Sequence, residues 1–120
     1  MSQKMVKPRE RIKRRIRKKI RGTAKRPRLS VFRSLRNIYI QLIDDDRGVT
    51  LAAASSLEKE LRSQLKTGGN MEAARRVAEL MAERIKSKKV KTLIFDRSGY
   101  KYHGLVKKVA ETLREKGLIF

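Results

Sequence analysis

The 120-residue chain has no cysteine, no tryptophan, one histidine and two prolines, Pro8 and Pro27. Without cysteine there is neither a disulfide framework nor a thiolate zinc site, which fits a cytosolic setting. No apolar run approaches the roughly 18–20 residues that a membrane-spanning helix needs. The early positive charges are not followed by an apolar h-region, so no secretory signal is expected. The most basic stretch also lacks the Trp, Phe or Leu face of an interfacial helix, so a membrane partner is not expected. P-loop, GxGxxG, HExxH and EF-hand patterns are all missing, and no cofactor or metal is expected. Acids are scarce too: 12 Asp or Glu stand against 33 Lys or Arg, for a formal net charge of +21.

That charge is unevenly spread. Residues 1–28 hold 14 basic side chains and 1 acid, leaving 19 and 11 for the rest. A basic excess gathered at one end points to a polyanionic partner. Within it, Ile12, Ile16 and Ile20 recur every fourth residue. At helical spacing the pairs Lys13–Arg17, Arg14–Lys18, Arg15–Lys19 and Arg17–Arg21 are all like-charged and repel. A column one isoleucine wide cannot hold such a helix together alone. The segment is therefore either a solubilising tail or an arm that orders when phosphates neutralise it. With about 6–10 phosphate contacts, affinity would fall roughly 10³–10⁵-fold between about 50 and 200 mM salt. "RGTAKRPR" (Arg21 to Arg28) reads as a linker, dividing the chain into an arm, 1–27, and an α/β domain, 28–120.

From Arg28 the apolar period changes from 3.6 to 2, predicting strands over about 28–34, 37–43 and 49–55. A turn on Leu35-Arg36 sets Phe32 opposite Tyr39, Ser30 opposite Gln41, Val31 opposite Ile40 and Leu29 opposite Leu42. One face is then aliphatic; the other carries Arg28, Ser30, Phe32, Ser34, Tyr39 and Gln41. The third strand is expected to put Val49, Leu51 and Ala53 inward. Ser55-x-x-Glu58 predicts a short helical turn. Asn70 is the expected N-cap of a helix over about 71–87, with Ala74, Val77, Ala78, Met81, Ala82 and Ile85 on one stripe. "VKTLIFD" (Val90 to Asp96) reads as a buried strand reached by a parallel crossover. Leu105, Val106, Val109, Ala110 and Leu113 predict a second amphipathic helix stopped at Gly117, and the terminal "LIF" is expected to return to the sheet. The whole is an α/β fold: a three-stranded antiparallel meander, a further parallel strand and two main helices on the aliphatic face.

The other face of the meander carries Phe32 and Tyr39 among small polar side chains. Such a surface can stack bases; alternatively, a helix placed on this side would cover the rings. "DRSGYKYHG" (Asp96 to Gly104) follows the C-terminal end of a strand, where ligands bind in open α/β sheets. It could shape a tight turn, contact RNA, or do both. An acid–base pair of Asp96 and His103 is the enzymatic alternative, yet the remaining acids do not converge as metal-assisted hydrolysis requires. Asp44, Asp45 and Asp46 could chelate a cation, but in so basic a chain a lone acidic turn is expected to be a solvated hairpin tip.

"KKIRGTAKRPRLSVFRSLRNIYIQLIDDDRGVTLAAASS", "DRSGYKYHGLVKKVAE" and the final "GLIF" together resemble the bacterial large-subunit ribosomal protein family uL18 (L-eighteen), over essentially the whole chain. The resemblance implies a ribonuclease-H-like two-layer sandwich preceded by a basic arm that is disordered or helical only with RNA. It implies a non-catalytic cytoplasmic component of the ribosome, monomeric when free. Its partners would be 5S rRNA, 23S rRNA and neighbouring proteins of the central protuberance. By position it nominates Arg14, Arg15, Arg17, Lys18, Lys19, Arg21, Arg26 and Arg28 in the arm. On the sheet it nominates Ser30, Phe32, Arg33, Ser34, Asn37, Tyr39 and Gln41, and in the loop Arg97, Tyr100, Lys101, Tyr102 and His103.

Overall fold

Alternation alone sets the register of the first hairpin. In the computed structural model, which describes residues 20–120, β1 (Arg28–Arg33) pairs antiparallel with β2 (Ile38–Asp44). The partners are those expected: Leu29 with Leu42, Ser30 with Gln41, Val31 with Ile40 and Phe32 with Tyr39. Ser34 N–H donates to Asn37 O at 2.9 Å, closing a two-residue turn on Leu35 and Arg36.

The third strand departs from expectation. β3 (Val49–Ser55) pairs antiparallel with β2, but the register shifts between Leu42 and Ile43. Leu51 is the extra residue of this bulge, and past it the two faces exchange. Ala54, opposite Ile40, is buried, whereas Ala53, opposite Gln41, is exposed and Val49 is 37% exposed. Only Leu51 of the three residues expected inward borders the core. Seven successive apolar or small residues, from Leu51 to Leu57, left no alternation from which to read the face.

The chain crosses over through α1 (Lys59–Arg62) and α2 (Met71–Ser87) to β4 (Ile94–Asp96), parallel to β1 on its far side. The sheet order is β3-β2-β1-β4, and α3 (Gly104–Glu115) follows. This four-stranded mixed sheet with its helices matches the expected ribonuclease-H-like sandwich. Leu118 is buried and Ile119 bridges Thr92 in parallel, returning the terminus to the sheet.

Leu29, Val31, Ile38, Ile40 and Leu42 meet Val77, Met81 and Ile85 of α2 and Val106, Val109 and Leu113 of α3 in one core. Each large side chain so buried stabilises by about 1.5–3 kcal/mol. Asn70 starts α2 by accepting from Ala73 N–H at 2.9 Å. Glu58 binds Ser55 N–H through Oε2, the returning half of a capping box, and also takes both Arg84 Nη atoms, which ties the α1 entry to α2. The Arg84 guanidinium holds the Glu58 carboxyl below the usual range.

Candidate nucleic-acid interface

With both main helices packed on the aliphatic side, no described element covers the opposite face. Ser30, Phe32, Tyr39 and Gln41 line a shallow depression of about 320 Å³. Phe32 is 45% exposed, and its ring lies 5.7 Å from that of Tyr39 at 43°. Exposed Ala53 continues the surface beside Gln41 without bulk or charge. Of the two readings of these rings, the one that covers them with a helix is excluded among the described residues.

The loop after β4 joins this surface because β4 runs parallel to β1. Ser98 Oγ lies 2.9 Å from Ser30 Oγ. The Tyr100 hydroxyl donates to Arg33 O (3.0 Å) and accepts from Arg33 N–H (3.3 Å), clamping the loop to the end of β1. Arg97 Nη1 donates to Tyr100 O at 3.0 Å, closing the loop on itself. Ser98 sits at φ +54°, a left-handed conformation disfavoured for a residue with a side chain, and its N–H donates to Asp96 Oδ1 at 2.8 Å. Arg97 and Tyr100 thus shape the loop, while Lys101 and His103 are exposed. Tyr102 turns the other way: its ring meets Phe95 edge-on at 6.4 Å and its hydroxyl accepts from Arg114. Asp96 bonds Arg28 and Ser98, whereas exposed His103 stands at the N-cap position of α3 without a side-chain cap bond.

Arg28, nominated from the arm, has a different environment. Its side chain is 9% exposed; Nη1 reaches Asp96 Oδ2 at 2.8 Å, and Nε and Nη2 reach the two Asp45 oxygens, each at 2.9 Å. The guanidinium is committed to carboxylates, and it lowers the Asp45 pKa to about 2. The triple aspartate is therefore no free tip. Asp44 is buried and accepts from the Asp46 and Arg47 N–H groups, and Asp46 pairs with exposed Arg21. Gly22 exchanges hydrogen bonds with Asp45, its N–H to Oδ2 (2.7 Å) and its carbonyl from Asp45 N–H (3.0 Å). The expected linker thus lies against the sheet, with Gly22 and Pro27 buried. The hairpin register already carried this signal, since it sets Arg28 opposite Ile43, beside the acids.

Among the other nominees, Arg26, Arg33 and Ser34 are exposed, and Asn37 accepts from the Ser56 hydroxyl at 3.0 Å. Arg14, Arg15, Arg17, Lys18 and Lys19 lie outside the described residues. No group of three or more His, Cys, Asp or Glu converges on a metal position among the described residues.

A family model described as "Ribosomal L18 of archaea, bacteria, mitoch. and chloroplast" matches residues 3–120. The chain belongs to this family. The large ribosomal subunit protein uL18 of Pelotomaculum thermopropionicum is 58% identical over 112 residues, 93% of this chain and 92% of the relative. That of Dictyoglomus turgidum is 59% identical over 106 residues, 88% of this chain and 87% of the relative. That of Halalkalibacterium halodurans is 58% identical over 105 residues, 88% and 86% of the two chains. Membership in the uL18 family makes this chain a structural, non-enzymatic component of the large ribosomal subunit, acting in the cytoplasm within the ribosome. The nuclease alternative falls with the family assignment.

Proposed function

We propose that the chain binds 5S rRNA and attaches it to 23S rRNA in the central protuberance, beside neighbouring large-subunit proteins. One observation carries the reading: the Phe32–Tyr39 ring pair, with Phe32 45% exposed, on a sheet face of small uncharged side chains that the loop after β4 joins through Ser98 and Tyr100. Bases stacked on the rings, and ribose and phosphate groups lying over the small side chains, would give shape recognition. The arm would then thread between RNA segments and screen their repulsion through Arg14, Arg15, Arg17, Lys18, Lys19, Arg21 and Arg26.

The test is a gel shift at moderate salt with excess competitor tRNA. Wild type should retain 5S rRNA, and the Phe32→Ala/Tyr39→Ala variant should bind it at least roughly tenfold more weakly, since a stacked base contributes about 1–3 kcal/mol. Deleting residues 1–20 should lower affinity and flatten the salt dependence while leaving 5S selectivity. Equal binding of 5S rRNA and tRNA by wild type would overturn the reading. Selectivity lost with the arm and kept without the rings would reverse the assigned roles.

A further inference from the structure

We propose that a hollow between the β1–β2 turn and α1 binds a phosphate of the RNA backbone, extending the aromatic face by a second, electrostatic contact. It measures about 290 Å³ and is lined by Arg36 of the turn, Arg62 of α1 and Lys66 just beyond it, together with Asn37, Thr67 and Gly68. Two cations four residues apart, Arg62 at the end of α1 and Lys66 just beyond it, meet a third from the β1–β2 turn, Arg36, at one depression. No carboxylate lies within ion-pair distance of any of them among the described residues. Arg21, Arg28, Arg47, Arg75, Arg84 and Lys116 each have an acid partner. Arg26, Arg33 and Lys101 are among other exposed cations that have none within the described residues but do not line this hollow. Gathering like charges without an acid is unfavourable until an anion fills the space between them. Two guanidinium forks and one ammonium suit phosphate oxygens, the first as bidentate donors and the second as a point charge.

The hollow is built rather than incidental. A Cβ on Gly68 would lie 2.5 Å from Arg36 O and 2.6 Å from Asn37 Oδ1, and one on Gly69 2.8 Å from Leu35 O. Only glycines let this loop seat directly on the hairpin turn and bring Lys66 beside Arg36. The site also continues the proposed RNA path: Asn37 stands two residues before Tyr39, about 7 Å along the strand. Sequence reading missed it because Arg36, Arg62 and Lys66 share no motif; only the crossover brings them together.

The proposal rests on RNA being the partner. Full-length Arg36→Gln/Arg62→Gln/Lys66→Gln protein should melt as wild type does, because all three side chains are exposed and none bonds within the described fold. Its affinity for 5S rRNA should drop on the order of tenfold, and its slope of log K against log salt should shrink by about 1–2. Preference for 5S rRNA over tRNA should persist. Arg36→Lys/Arg62→Lys/Lys66→Arg should restore the slope. An unchanged affinity and slope in the Gln variant overturns the hollow while leaving the aromatic face intact. Unchanged RNA binding with lost binding of polyglutamate overturns it in favour of an acidic protein. Should wild type not prefer 5S rRNA, the functional reading fails separately, and the slope on tRNA still judges the hollow.

Discussion

Replacing Arg28 by methionine removes a guanidinium from between two carboxylates while nearly preserving its volume. Asp96 has no exposed side-chain surface, and Asp45 loses both of its bonds to Arg28. Breaking a buried ion pair from one side costs about 3–5 kcal/mol. The lower end applies here, because the Ser98 N–H still donates to Asp96. A loss of about 3 kcal/mol lowers Tm by roughly 12–24 °C in a domain of this size. The acid dependence gives an independent check. The Asp45 pKa falls from 3.8 unfolded to about 2 folded, chiefly through its hydrogen bonds to Arg28. A depressed carboxylate stabilises above its unfolded pKa, and that stability is lost as pH falls through the folded pKa. About 2 kcal/mol should therefore disappear between about pH 4 and pH 2 in wild type, and less in Arg28→Met, where only the Gly22 N–H and the Arg21 charge still depress Asp45. Thermal melts by circular dichroism at several pH values should show the gap between the two proteins closing in acid. Arg28→Lys should recover only part of the stability, since one ammonium cannot reproduce a fork shared between two acids. Well below the variant's Tm, the salt dependence of RNA binding should match wild type, because the guanidinium is not available to phosphate. A Tm change under roughly 4 °C, or a gap that does not close in acid, would refute the reasoning.

Two further substitutions test how the fold is held. Gly22→Ala places a Cβ 2.3 Å from Arg28 N and 2.6 Å from Ile43 O, both backbone atoms that cannot yield. A loss of about 2–3 kcal/mol is expected as a lower urea midpoint, and an unchanged midpoint would count against linker docking. Asn70→Ala removes the acceptor of the Ala73 N–H and should cost about 1 kcal/mol by thermal melt, with Asn70→Ser restoring most of it.

Wherever a residue's role depended on near neighbours, the sequence determined it. Strict alternation in β1 and β2 set their register and the Leu35-Arg36 turn. The Asn70 cap and the 3.6-residue stripe bounded α2, and the piled charge of residues 1–28 named a polyanion. Local patterns work there because side-chain direction follows the backbone period. The parallel crossover to β4 was also legible, but the particular partners of long-range contacts were decided by the tertiary structure. The bulge at Leu51 exchanged the faces of β3, where a run of small apolar residues carried no period. An arginine nominated for RNA became the buried partner of acids 17 and 68 residues away. Arg36, Arg62 and Lys66 were assembled around one hollow by the crossover. Charge acts through space, so the partner of a charged side chain is set by which elements the folded core brings together.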